Sequence, residues 1–158
     1  MLNEDQPGTV PGDNVLLQSF RSSQALRAVL ARTVAGTGIT AEEYAVLGVI
    51  NLLGPIAPTE LSTRLSVPAT TISRYLAGFV RRGLAKREPN PRDGRSYLVR
   101  TTPKGRGAVK TIAPRIRQLL AELHDATEMP LDDITRALAA LERAAWAVER
   151  TSQETTAR

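Results

Sequence analysis

Residues 59–83 read TELSTRLSVPATTISRYLAGFVRRG, and the spacing within them decides the fold. Leu61 and Leu65 stand four apart on one face of a two-turn helix over 59–65. Ser66, Val67 and Pro68 break it. From Ala69 to Arg82 the apolar residues Ile72, Tyr75, Leu76, Phe79 and Val80 fall at spacings of three and four, an amphipathic second helix. Gly83 follows where a left-handed cap is wanted. Two short helices joined by a tight turn are therefore expected.

Outward from this pair, Leu84 to Glu88 reads as a strand and Ser96 to Arg100 as another. Between them Pro89–Arg95 (PNPRDGR) is dense in turn formers, giving a β-hairpin with a basic tip. Upstream, Thr40 and Glu43 form a capping box: the hydroxyl accepts from the backbone of Glu43, whose carboxylate reaches back. Tyr44, Leu47, Ile50 and Leu53 continue that helix until Gly54-Pro55 stops it. A first helix is expected from Asp13 to about Val34, ended by Gly36 and Gly38. Downstream, Thr102-Pro103 is a cap with proline at the first helical position. That fifth helix should run to about Glu128, with a kink or break near 110–114 because Pro114 has no N–H to give. Pro130 opens a sixth helix, where Ile134, Leu138, Leu141, Ala145 and Val148 make a coiled-coil-type seam.

Composition limits the chemistry. At 158 residues and 42% apolar, the chain is large and apolar enough to bury a core. It lacks cysteine, which removes disulfides, thiolate metal sites and thiol redox sensing together. His124 is the single histidine, and no nucleophile, base and orienting group stand together, so an enzyme is disfavoured and no cofactor or metal is expected. No apolar run reaches the roughly 18 residues of a membrane helix, and the polar start lacks signal-peptide features; the expected location is cytoplasmic. Charge is uneven. Thr59–Arg106 holds 11 Lys/Arg against 3 Asp/Glu, a net +8, while the rest of the chain carries −3. Such a segment suits a polyanion, although a solvated basic face reads the same by charge alone.

In order, helix, turn, amphipathic helix and basic hairpin make a winged helix-turn-helix, in which the second helix enters the major groove of double-stranded DNA. The fold class is mainly α with a small β-hairpin wing (α+β). Thr70, Thr71 and Ser73 suit phosphates or base edges, and Arg74 reaches guanine or phosphate. Thr70 and Thr71 also suit plain N-capping, and the two roles can coexist. At the hairpin tip, Arg92 and Arg95 suit the negative potential of the minor groove. Asp93 would repel phosphate and is expected to hold Arg95 in place.

Thr40–Gly107 resembles the MarR family of bacterial regulators. The matching stretches are Ile39-Thr40 with Leu47, Glu60-Leu61, Leu65-Ser66-Val67, Thr70 to Arg74, Arg82-Gly83-Leu84, Asp93-Gly94-Arg95 and Thr102 to Gly105. Two departures stand out: Thr101 where leucine is usual before the cap, and Gly78 inside the recognition helix. The resemblance implies a homodimer on a pseudo-palindromic operator, acting as a repressor and released by a small organic effector. It divides the chain into a flexible arm (1–12), a dimerisation helix (13–38), the DNA-binding lobe (39–101), two further dimerisation helices (102–150) and a flexible tail (151–158). The alternative is the same fold acting as a ligand-independent DNA-binding or protein-interaction module.

Overall fold

The computed structural model describes residues 14–156, so the expected arm (1–12) and the last two residues of the expected tail lie outside the described residues. In order the elements are α1 (Val15–Val34), α2 (Ala41–Leu53), α3 (Pro58–Leu65), α4 (Ala69–Arg81), β1 (Ala85–Pro89), β2 (Tyr97–Thr101), α5 (Pro103–Ala126) and α6 (Leu131–Thr156). The chain forms two compact units, Met1–Ile116 and Arg117–Arg158.

Local chemistry sets most boundaries in the first unit. Asn14 caps α1 through its side chain, which accepts from the Leu17 amide at 2.8 Å. The capping box of α2 is complete: the Glu43 amide donates to Thr40 Oγ1 (3.2 Å), and the Thr40 amide to Glu43 Oε2 (3.1 Å). Proline at the first position of α3 and α5 lacks an N–H that the helix start would leave unpaired in any case. Gly83 takes φ +69° after α4, a left-handed conformation that other residues adopt only with strain.

One core joins these elements. Ile72, Leu76 and Phe79 of α4 are buried with Leu47 and Ile50 of α2, Leu61 of α3, Val99 of β2 and Ile112 of α5. β1 and β2 pair antiparallel, from Ala85 opposite Thr101 to Pro89 opposite Tyr97. Ile56 adds a bridge on the other edge of β2, exchanging bonds of 3.0 and 2.9 Å with Val99. The start of α5 grips the end of α4. Thr102 Oγ1 donates to the Gly83 carbonyl at 2.6 Å and accepts from the Gly105 amide at 3.1 Å. Lys104 Nζ donates to the Arg82 carbonyl at 2.9 Å. The approach is so close that a Cβ on Gly105 would lie 1.9 Å from the Leu84 carbonyl oxygen.

Two expectations are corrected. Of the kink or break expected at 110–114, the break does not occur: α5 is one continuous helix through Pro114. Proline removes one helical bond, to the carbonyl of Lys110; both residues are exposed, so solvent can satisfy that oxygen. α6 does not end at Arg150 but continues to Thr156. Its seam is largely uncovered in the second unit: Leu138 and Val148 are exposed, as is Trp146 beside them, while Ile134 and Leu141 are half-buried. In the first unit, Leu16 and Phe20 of α1 are likewise exposed.

The two glycines of this region should respond oppositely to alanine. Gly105→Ala forces backbone apart and should destabilise the fold by about 1–3 kcal/mol. Gly78→Ala meets no atom closer than the Arg81 guanidinium at 4.0 Å and should stabilise α4 by about 1 kcal/mol. Urea unfolding of both variants checks the pair of signs.

Candidate nucleic-acid interface

The turn between α3 and α4 is pinned before the second helix begins. Ser66 sits at φ 51°, the left-handed region, and closes α3. The Ser62 hydroxyl donates to the Val67 carbonyl at 2.7 Å, and the Val67 amide returns a bond to the Ser62 carbonyl at 3.1 Å. Pro68 then starts α4, its carbonyl accepting from the amides of Thr71 (2.9 Å) and Ile72 (3.0 Å).

Among the described residues, no side chain caps α4. Pro68 holds the capping position, and Thr70 and Thr71 lie inside the first turn, so neither acts as the N-cap. The helix start keeps unpaired N–H groups and the positive end of the helix dipole. Because Ile72, Leu76 and Phe79 face the core, the opposite stripe faces outward. Thr70, Ser73, Arg74, Ala77 and Arg81 are exposed along it, and Thr71 is half-buried at its edge. Arg74 lies over the Tyr75 ring, 5.7 Å from its centre. Arg81, on the same stripe, was not among the residues singled out from the sequence. Its helical spacing of seven from Arg74 was the available signal.

The hairpin tip is built from two successive side-chain turns. Asn90 Oδ1 accepts from the Arg92 amide and Asp93 Oδ1 from the Arg95 amide, each at 3.0 Å. Asn90 Nδ2 donates to Ser96 Oγ at 3.3 Å and closes the base. Asp93 thus holds the backbone of Arg95, not its guanidinium. A short carboxylate reaches the amide two residues on more readily than it reaches the end of an arginine. Arg92 and Arg95 are both exposed. On the strands, Arg87 stacks over Tyr97 at 4.5 Å. Glu88 pairs with Lys86 at 3.0 Å and Arg100 at 3.3 Å. Its carboxyl is held below the usual glutamate range, foremost by the bond from Lys86 and then by Arg100, with partial burial acting the other way.

Behind α4, the Arg82 side chain turns inward. Its two terminal nitrogens donate to Glu43 Oε2 at 3.3 and 3.2 Å, and one of them also reaches the Gly38 carbonyl at 3.2 Å. Sequence reading noted Arg82 only within a matching stretch, since its partner lies 39 residues away. Arg82 and Glu43 help line an open cavity of about 580 Å³, together with Arg27, Val34, Ile39 and Glu42.

These features define a winged helix-turn-helix: a pinned turn, an uncapped second helix with a polar outward stripe, and a hairpin bearing exposed arginines. Residues 37–96, from the α1–α2 turn to the wing, match the MarR family. The multiple antibiotic resistance protein MarR of Salmonella typhimurium is 42% identical over 67 residues, covering 42% of this chain and 46% of that protein. The Escherichia coli K12 protein of the same name is 40% identical over the same length. The chain thus spans about half the length of the curated relatives it matches. Among solved structures, the M. tuberculosis transcriptional regulator MosR in complex with DNA is similar, with a TM-score of 0.76 and 27% identity over 85% of this chain and 98% of that one. A cysteine-to-serine mutant of E. coli MarR, complexed with operator DNA, gives 0.69 and 26% over 82% and 94%. Residues 37–96 thus match the MarR family, and the fold is shared with MarR-type regulators of known structure.

Glu88 gives the wing an acid-side signature. Its lowered pKa means that its contribution to stability is present at neutral pH and is lost as pH falls through the folded-state value. The difference in melting temperature between wild type and Glu88→Gln should therefore shrink as pH is taken from 7 to below the carboxylate range. A difference that stays constant across the titration would contradict the pairing.

Proposed function

We propose that this chain is a sequence-specific double-stranded DNA-binding transcriptional regulator, a repressor acting as a homodimer on a pseudo-palindromic operator. The observation that carries the reading is the first turn of α4. Its hydroxyls and amides are free of side-chain caps, Arg74 is exposed beside them, and the buried face beneath holds the helix rigid. Such a turn matches base edges and phosphate together. The wing supplies Arg92 and Arg95 for the minor groove or its flanking phosphates, with Asp93 setting the backbone that presents Arg95. Support also comes from the relatives described above with DNA and with operator DNA.

Dimerisation is supported by apolar side chains left uncovered in each unit, Leu16 and Phe20 in the first, Leu138, Trp146 and Val148 in the second. Two lobes related by a two-fold axis read half-sites about one helical turn apart. Release by a small organic ligand completes the reading. The cavity lined by Arg27, Glu42, Glu43 and Arg82 has the size of a small-molecule site.

The decisive experiment is fluorescence anisotropy on a duplex selected from a random pool by the wild-type protein, against a scrambled duplex, at several salt concentrations. Arg74→Ala should cost about 1–3 kcal/mol on the selected duplex and flatten the discrimination. Arg95→Ala should weaken both duplexes alike and lower the salt slope by about one unit. Retained discrimination in Arg74→Ala would remove α4 from its assigned role. For assembly, Leu138→Glu with Val148→Glu should convert a dimer into a monomer by sedimentation at micromolar concentration. A wild type that sediments as a monomer while binding specifically would contradict the dimer.

A further inference from the structure

The C-terminal end of α4 is held on two sides. On one side the backbone carbonyls of Arg82 and Gly83 accept from Lys104 and Thr102, which terminates the helix. The other side is held by a charged side chain. The Arg82 guanidinium passes 5.7 Å from the centre of the Phe79 ring and grips Glu43 and the Gly38 carbonyl. Glu43 is itself fixed, because the same Oε2 accepts the Thr40 amide in the capping box of α2. A continuous set of contacts thus runs from the α1–α2 turn, through the first turn of α2, to the end of α4.

The pair is placed where it has mechanical consequence. Glu43 and Arg82 side chains are 16% and 35% exposed, so their attraction is less screened than that of a surface pair. Arg82 follows Arg74 by eight residues, about 12 Å along the helix axis. A small tilt at one end therefore displaces the other. Arg82 Nε is buried without a hydrogen-bond partner among the described residues. A guanidinium kept there with one N–H unmatched is poorly explained by stability alone.

We propose that the Arg82–Glu43 ion pair is a positioning device that sets the angle of α4 and so determines operator selectivity without touching DNA. The inference rests on the assignment of α4 to the major groove. Its sign separates it from simple electrostatics. Glu43→Gln removes a negative charge from a DNA-binding lobe, so charge alone predicts tighter binding to any duplex. Loss of position predicts weaker binding to the selected duplex only.

The test uses full-length Glu43→Gln, Arg82→Met and the double variant. Glutamine keeps an oxygen for the Thr40 amide, and methionine keeps an apolar stem over Phe79. On the duplex selected by wild type, each single variant should lose about three- to thirty-fold in affinity. For Glu43→Gln, the scrambled duplex and the salt slope should be unchanged. The double variant should be no weaker than the weaker single, because both remove one interaction. The inference is overturned if Glu43→Gln binds the selected duplex as tightly as wild type or more tightly, or if the two losses add. Circular dichroism at the assay temperature confirms folding, and Glu43→Gln carries the test alone if Arg82→Met unfolds. Arg74→Ala is run beside them. If it flattens discrimination while Glu43→Gln does not, only the positioning role fails. If Arg74→Ala also keeps discrimination, the assignment of α4 fails and takes the positioning role with it.

Discussion

Burial of Ile72, Leu76 and Phe79 beneath α4 is the constraint from which the rest of the lobe follows. These side chains are fully enclosed by residues of α2, α3, β2 and α5. Truncating one of them typically costs about 2–5 kcal/mol, so the rotation of α4 about its axis is strongly held. With that rotation set, helical geometry alone turns Thr70, Ser73, Arg74 and Arg81 outward. The polar stripe is the complement of the core, and the two cannot be changed independently.

Electrostatics then divides the basic residues into two groups. Lys86, Arg100 and Arg82 have carboxylate partners within the fold, in Glu88 and Glu43. The tip arginines are exposed on backbone that Asn90 and Asp93 fix in advance. A cation already paired adds less to polyanion binding than its charge suggests, because its partner must be displaced or tolerated. The excess of +8 over Thr59–Arg106 already subtracts Glu88, whereas Glu43, the partner of Arg82, lies outside that segment and offsets a further charge. The tip and the outward stripe of α4 hold Arg92, Arg95, Arg74 and Arg81, exposed and without a carboxylate contact among the described residues, while Lys104 and Arg106 bond to backbone carbonyls and Arg87 stacks on Tyr97.

What could be read from sequence was what depends on near neighbours. The capping box at Thr40, the cap at Thr102, the turn at Ser66–Pro68 and the left-handed Gly83 all involve residues within a few positions of one another. The apolar spacing of α4 was legible for the same reason, and it placed the candidate DNA-contacting residues on one exposed side. Pro114 misled because its lost bond is local but its consequence depends on whether the freed carbonyl meets solvent. At the wing, residue types pointed to Asp93 holding Arg95 without saying by which atom, and the bond found is to the Arg95 amide. The Arg82–Glu43 pair was invisible because no pattern in a single sequence links positions 39 residues apart. It exists only once α2 and α4 share a core.

Methylation interference on a duplex selected from a random pool tests the central claim most directly, because it separates the grooves. Guanine N7 lies in the major groove and adenine N3 in the minor. With α4 in the major groove and the hairpin tip as a wing, N7 methylation should block binding in two patches about one helical turn apart. N3 methylation should interfere beside each patch. Binding that is indifferent to N7 methylation at every position would contradict the account, since an uncapped α4 facing bases could not tolerate it.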